Sequence, residues 1–335
     1  MIEKYYNGVI EQVAGGIGNV EHNSILVRYS NDFSIWDLES VNHYKDQTDI
    51  FFTCHEFSYN KIAEAYEPYL GLIRQMFHKY CSGTLEEFME ECDVYKLQRP
   101  VFESYFEKGF CERTEQILID EVEYEQERMH SSIVTMLQKL SEICPIVIVL
   151  NRFQLASKST MQLTNRLLQT KNKNIGIVLG VNDVQSIPEF AHEEWDAICE
   201  SMDDRNMVYH IGNAGRNMEP DVMDYYSDYE SDDGYRKLNN LVYFLDFDQA
   251  NHHLSKIERR IKFDNFTISE KKHYQLLLLQ IMVSVLQRDI AKALESCEDL
   301  EKLQDQEKEG AFYYNFWMAT SYMYLGKLEE AMIYV

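Results

Sequence analysis

No stretch of this chain approaches the roughly 18 consecutive apolar residues that mark a membrane-spanning helix. The Met1 start lacks the basic and apolar regions of a secretory leader, because Glu3, Lys4 and Asn7 interrupt any early apolar run. Basic charge is also scarce: 32 Lys and Arg face 56 Asp and Glu, for a formal net charge of -24. Such a surface repels nucleic-acid phosphates and anionic lipid alike, so neither nucleic acid nor membrane is an expected partner. The seven cysteines, Cys54, Cys81, Cys92, Cys111, Cys144, Cys199 and Cys297, form no CxxC pair. They read as buried free thiols of a reducing, cytoplasmic setting.

What is present is core. With 45% hydrophobic and 13% aromatic residues over 335 positions, the chain has material for two folded domains. Residues 2 to 13 carry Ile2, Tyr5, Tyr6, Val9, Ile10 and Val13 at helical spacing, and Gly15 and Gly16 are expected to end that helix. SILVRY at 24 to 29 is a strand candidate, 34 to 45 a helical stretch, DIFFTC at 49 to 54 a second strand, and 61 to 81 an amphipathic helix. Helical patterning continues from 84 to 144, opened by Thr84 and Glu87 in capping-box spacing. PIVIVLN at 145 to 151 and NIGIVLGV at 174 to 181 are apolar on both faces, as strands of a helix-covered parallel sheet are. Helices at 158 to 170 and 189 to 203 and a strand MVYHI at 207 to 211 complete an α/β alternation. The domain boundaries expected are 1 to 213 for the α/β domain, 214 to 238 for an acidic, tyrosine-rich linker or loop, and 239 to 335 for an all-α domain.

In open α/β sheets ligands bind beyond the carboxyl ends of the strands. A working phosphate loop, GxxxxGK[ST], needs glycines so that backbone amides can approach the phosphates and a lysine to neutralise them. After SILVRY the chain reads Ser30-Asn31-Asp32-Phe33-Ser34-Ile35-Trp36, with no glycine and no lysine. An ATPase also ends an apolar strand in acids that hold magnesium and polarise water. PIVIVL ends instead in Asn151-Arg152.

The stretch from Pro145 to Asp183 resembles the second half of the STAND-type relatives of AAA+ ATPases. Those proteins have two acids at the places of Asn151 and Arg152, and a Trp-Ala-Asp at the places of Leu155, Ala156 and Ser157, of which only Ala156 matches. Asn182 stands at the family's polar sensor position, and Tyr66, Pro68, Tyr69 and Ile73 resemble its Tyr-x-Pro-Tyr-like turn that opens a helix. The resemblance implies an α/β P-loop NTPase-like parallel-sheet domain that has lost its catalytic residues, with Ser30, Asn31, Asp32, Ser34, Asn151, Arg152 and Asn182 as remnants of a nucleotide site. It also implies a bacterial multidomain signalling regulator with an output domain beyond Val335.

The segment at 311 to 335 places Ala319, Tyr322, Gly326 and Ala331 as in a tetratricopeptide repeat (TPR), although Asn315 stands where that repeat has Trp. An upstream helix pair carries Ala293, 38 residues before Ala331. The last hairpin stops within its second helix and reads as truncated. Tyr313, Tyr314, Trp317 and Tyr322 are the candidate partner-binding residues, against the plainer reading of hairpin core. Gly15 to Gly18 lacks the spacing of a dinucleotide loop, and His192-Glu193-Glu194 lacks the second histidine of a zinc-protease motif. His252-His253 has no cysteine nearby, so no metal site is expected.

The expected function is a non-catalytic regulatory module: a pseudo-ATPase domain coupled to TPR-like helices that bind a protein partner, with no cofactor turned over. The alternatives are an atypical nucleotide-binding ATPase that recruits Lys45, Arg28 or Arg152 to a remodelled phosphate site, and a plain scaffold whose α/β domain binds nothing.

Overall fold

The structure, a computed structural model, describes residues 2–18, 23–30, 34–45, 49–58, 61–111, 122–170, 172–182, 187–203, 208–211, 229, 231–263, 267–303 and 310–335. It divides into two compact units, Met1–Thr114 with Glu127–Ser227, and Glu115–Gln126 with Asp228–Val335.

The first unit is built on five parallel strands: β1 (Ser24–Tyr29), β2 (Phe51–Glu56), β3 (Ile146–Asn151), β4 (Ile175–Asn182) and β5 (Val208–Ile211). Their order across the sheet is β2-β3-β4-β1-β5, so β4 is the central strand. All eight residues of β4 and all six of β3 are buried, which is why both read as continuous apolar runs rather than alternating ones. Each such Val, Ile or Leu contributes about 1.5–3 kcal/mol of burial.

Helix α1 (Ile2–Gly15) buries Tyr6, Val9, Ile10, Val13 and Ala14, one stripe at 3.6-residue spacing, against Ile25, Val27, Tyr29, Val147, Val149 and Val178. Two glycines of β4 permit the close approach. A Cβ on Gly176 would lie 2.7 Å from Val13 Cγ1, and one on Gly180 would run into the Tyr6 hydroxyl. The same face carries α2 (Glu39–Lys45), preceded by a single 3₁₀ turn at Ile35–Asp37 rather than by one continuous helix from residue 34. On the opposite face lies α8 (His192–Asp203): Arg28, which alternates with Val27 and Tyr29 along β1, sets its guanidinium over the Trp195 ring at 5.9 Å. Helix α7 (Lys158–Thr170) packs beside α8.

Helix α3 (Tyr69–Tyr80) starts later than the expected 61, because the residues ahead of it form a turn that α7 holds from its own start. Ser157 Oγ donates to the Glu64 carbonyl at 2.9 Å, Thr160 Oγ1 to the Glu67 carbonyl at 3.1 Å, and the Tyr66 N–H donates to Ser159 Oγ at 3.3 Å. Helix α4 (Leu85–Glu91) begins with Thr84 and Glu87 in a complete capping box, at 2.8 and 3.2 Å. Helix α5 (Arg99–Lys108) ends at Gly109 with φ 80°, and α6 (Val122–Ile143) leads into β3.

The second unit is helical: α9 (Asp232–Tyr243), α10 (Phe247–Phe263), α11 (Glu270–Leu286), α12 (Ile290–Glu301), α13 (Gly310–Tyr324) and α14 (Leu328–Ala331). Helix α9 starts inside the segment expected as linker. Ser231 caps it by accepting from the Gly234 N–H at 2.8 Å, so only the part of 214 to 238 ahead of Ser231 lies outside the described residues, Tyr229 excepted. Residues 122 to 126 join this unit rather than the α/β domain, and Gln126 Nε2 donates to the Leu245 carbonyl at 2.5 Å. Helices adjacent in sequence pack as neighbours, and α11 also meets α9 and α13, which is why it is buried all round from Leu276 to Leu286 and shows no polar stripe there.

Three turns in this unit share one hydrogen-bond pattern. Leu245, Arg288 and Gly326 all have left-handed backbones, at φ 66°, 61° and 71°. The N–H that follows each closes the Schellman bond to a carbonyl five residues back: Asp246 to Leu241, Asp289 to Ser284 and Lys327 to Tyr322, at 2.8, 2.8 and 2.9 Å. A buried alanine then sits in the first turn of each next helix, Ala250, Ala293 and Ala331. The pair seen in the sequence therefore has an earlier member.

Candidate functional site

The strand order creates the site. From β1 the chain crosses to β2 at one edge, whereas from β4 it crosses the other way to β5. Right-handed crossovers in opposite directions put their helices on opposite faces, so the carboxyl ends of β1 and β4 flank the topological switch point. Tyr29, Ser30, Asn182 and Asn151 lie there or one strand away.

Asn151, the last residue of β3, is completely buried. Its Oδ1 accepts from the Tyr29 hydroxyl at 2.7 Å. The Asn182 N–H, at the end of β4, donates to Gln154 Oε1 at 3.2 Å. Arg152 has φ 54°, a left-handed backbone that costs a non-glycine residue on the order of 1 kcal/mol. Its Nη1 pairs with Glu56 Oε1 at 2.8 Å, and the two side chains are only 17% and 9% exposed. The other Glu56 oxygen accepts from Ser34 Oγ at 3.2 Å and from the Ile35 N–H at 3.1 Å, which ties the chain after β1 to the end of β2. Burial first, then the neighbouring Tyr29, Glu56 and Cys54, push the Tyr6 phenol well above its ordinary pKa, so it is a neutral hydroxyl.

Of the residues singled out from the sequence, Ser34, Asn151, Arg152 and Asn182 are thus gathered at one end of the sheet, with Ser30 in the bend after β1. Asn31 and Asp32 lie outside the described residues. Tyr6, Tyr29, Glu56 and Gln154 were not singled out. Tyr29 ends the strand expected at 24 to 29, a signal that an inventory of strand ends would have caught, whereas β2 runs on to Glu56, two residues past its expected end at Cys54. Tyr6 has no such signal, because it comes from a helix ahead of the whole sheet.

Each of the three cations of the remodelled-site alternative has a partner within the chain. Arg152 is paired with Glu56, Arg28 lies over Trp195, and Lys45 Nζ lies 5.8 Å from the centroid of the Trp36 ring. Among the described residues no group of three or more His, Cys, Asp or Glu is placed to hold a metal ion. The seven cysteines are all free thiols. Among the described residues no helix is long and apolar enough to cross a membrane.

In the helical unit, Trp317 is only 8% exposed and belongs to the core. Tyr322 stacks on Tyr334 at 5.8 Å, and Tyr314 meets the same ring edge-on at 6.0 Å, so these two close the last turn on itself. The side chain of Tyr313 lies outside the described residues. No family model matches the chain, and neither do any curated protein or solved structure.

Proposed function

We propose that this chain is a non-catalytic regulatory and protein-interaction module, with a first unit that is a degenerate STAND-like P-loop ATPase domain and a second of TPR-like hairpins that bind a protein partner. The observation that carries this reading is the Tyr29–Asn151 hydrogen bond beside the Arg152–Glu56 ion pair. At the carboxyl ends of the strands, where an ATPase of this type sets its phosphate loop and magnesium-holding acids, the polar groups are committed to one another. Transition-state charge on a phosphoryl group requires donors and cations aimed at it. Here the guanidinium faces a carboxylate, and the asparagine oxygen faces a tyrosine. The three recurring Schellman turns, each followed by a buried alanine, support stacked hairpins in the second unit.

Calorimetry with ATP, ADP and GTP, with and without magnesium, tests the reading. No binding heat at micromolar protein and no phosphate release are expected. Micromolar binding with turnover that disappears in Asn182→Ala would sink it and favour the remodelled ATPase.

A further inference from the structure

The second unit contains a cavity of about 300 Å³ between α10, α11 and the end of α12. It draws on none of the residues of the strand-end cluster. Its wall is aliphatic, with Leu254 and Ile257 from α10 and Leu276 and Leu277 from α11. That volume lies at the lower end of the range for small-molecule pockets, which are mainly apolar with a few placed polar groups.

Beside Glu258, Lys262, His273, Asp299 and Lys302, the lining has one buried polar group, Gln280. The residue is 4% exposed, and its Nε2 donates to Ser284 Oγ at 3.2 Å within the same helix. Its Oε1 is buried and accepts no hydrogen bond. A buried acceptor without a donor is costly, which makes it a place where a ligand's N–H or O–H gains a full hydrogen bond. The terminal torsion of a glutamine is broad, so turning the amide oxygen toward the cavity costs the Nε2 bond to Ser284 but no change of rotamer.

The rim argues against a charged guest. Lys262 Nζ is held by Glu258 at 2.7 Å and by Glu295 at 3.3 Å, and Lys302 Nζ by Asp299 at 2.6 Å. These hydrogen bonds raise both lysine pKa values, and burial lowers that of His273 in the same lining. An anion would meet the carboxylate beside each lysine, and a cation the ammonium beside each carboxylate. We propose that this cavity is a binding site for a small, uncharged, mainly apolar molecule with one hydrogen-bond donor, an alcohol or a primary amide, whose donor is received by Gln280.

Titration of the full chain near neutral pH, followed by saturation-transfer NMR, compares benzyl alcohol with toluene, benzoate and benzylamine. Benzyl alcohol is expected to bind about five-fold more tightly than toluene, the effect of one net hydrogen bond. It is expected to bind at least about tenfold more tightly than either charged probe, each of which would enter an apolar wall unpaired. Gln280→Leu should abolish the preference for the alcohol while toluene still binds, and Leu277→Trp, which fills the cavity, should remove both. No saturable binding of benzyl alcohol overturns the proposal. So does tighter binding of a charged probe, or an alcohol preference that survives Gln280→Leu. Should circular dichroism show that Leu277→Trp is unfolded, the probe comparison in the native chain and in Gln280→Leu decides the matter.

Discussion

The Tyr29 hydroxyl donates to Asn151 Oδ1 at 2.7 Å although the two residues end strands that are not neighbours in the sheet. Between them runs β4, and in its register Gly180 lies at the height of the bond. Because Gly180 has no side chain, the space above it is taken by the Tyr6 hydroxyl and the Asn151 amide; a Cβ there would sit 2.6 Å from Asn151 Oδ1. A tyrosine, an asparagine and a second tyrosine thus meet over a glycine at the carboxyl end of the central strands.

Tyr29→Phe removes one donor to a buried amide oxygen and leaves the ring in place. The expected loss is about 1 kcal/mol in unfolding free energy, read as a lower urea midpoint at unchanged slope. An unaltered midpoint would show that the hydroxyl adds nothing to the cluster.

Gly180→Ala forces a methyl group against two fully buried side chains, and overpacking of this kind costs about 1–3 kcal/mol. Adding Tyr6→Phe should recover part of that loss, because the hydroxyl is the nearest obstacle. A double-mutant cycle measures the coupling, and additive losses would mean that the two positions do not meet.

Arg152→Met takes the cation from Glu56 while it keeps most of the aliphatic stem. A largely buried carboxylate left without its guanidinium should cost about 2–4 kcal/mol, a little below the loss for fully buried pairs. The companion Glu56→Gln/Arg152→Met double variant should lie closer to the native protein than Arg152→Met alone. If the single variant unfolds no more readily than the native chain, the pair has no structural role.

His130 gives the first unit an acid limit. Burial, with help from Arg166 and against Glu127, holds its imidazole at about 4, below its ordinary 6.5. In that interval the unfolded chain takes up a proton that the folded chain refuses. The associated stability is therefore complete above about pH 6.5 and is lost as the pH falls toward about 4, by an amount on the order of 3 kcal/mol. His130→Phe, whose ring can keep the edge-on contact with Tyr66, should flatten this limb in denaturation curves taken across the window. An unchanged slope would place the acid sensitivity elsewhere.

Arg288 is exposed and left-handed, at φ 61°, in the second of the three recurring turns, where the third has Gly326. Arg288→Gly relieves the steric cost of a Cβ in that conformation and should raise the melting temperature of the helical unit, by about 0.5–1 kcal/mol of stability. A lower melting temperature would show that contacts of the arginine outweigh the strain.

Periodicity and composition in the sequence determined the element order, the parallel sheet with its two doubly buried strands, the capping box at Thr84 and the helical character of the second unit. These follow from which residues are apolar and at what spacing, a local property of the chain. The same local reading placed Asn151, Arg152 and Asn182 at or just past strand ends and Ser34 in the segment after the first strand, because parallel strands present their carboxyl ends together.

Only the tertiary structure decided what those residues do there. That Tyr6 comes down from α1 onto Gly180, that Tyr29 reaches Asn151 across β4, and that Glu56 rather than a phosphate faces Arg152 all depend on strand order and helix placement, which bring together residues 96 or more positions apart. The cavity at Gln280 likewise depends on how three helices pack, since α11 has no polar stripe from Leu276 to Leu286 and gives no hint that one of its faces is incompletely filled.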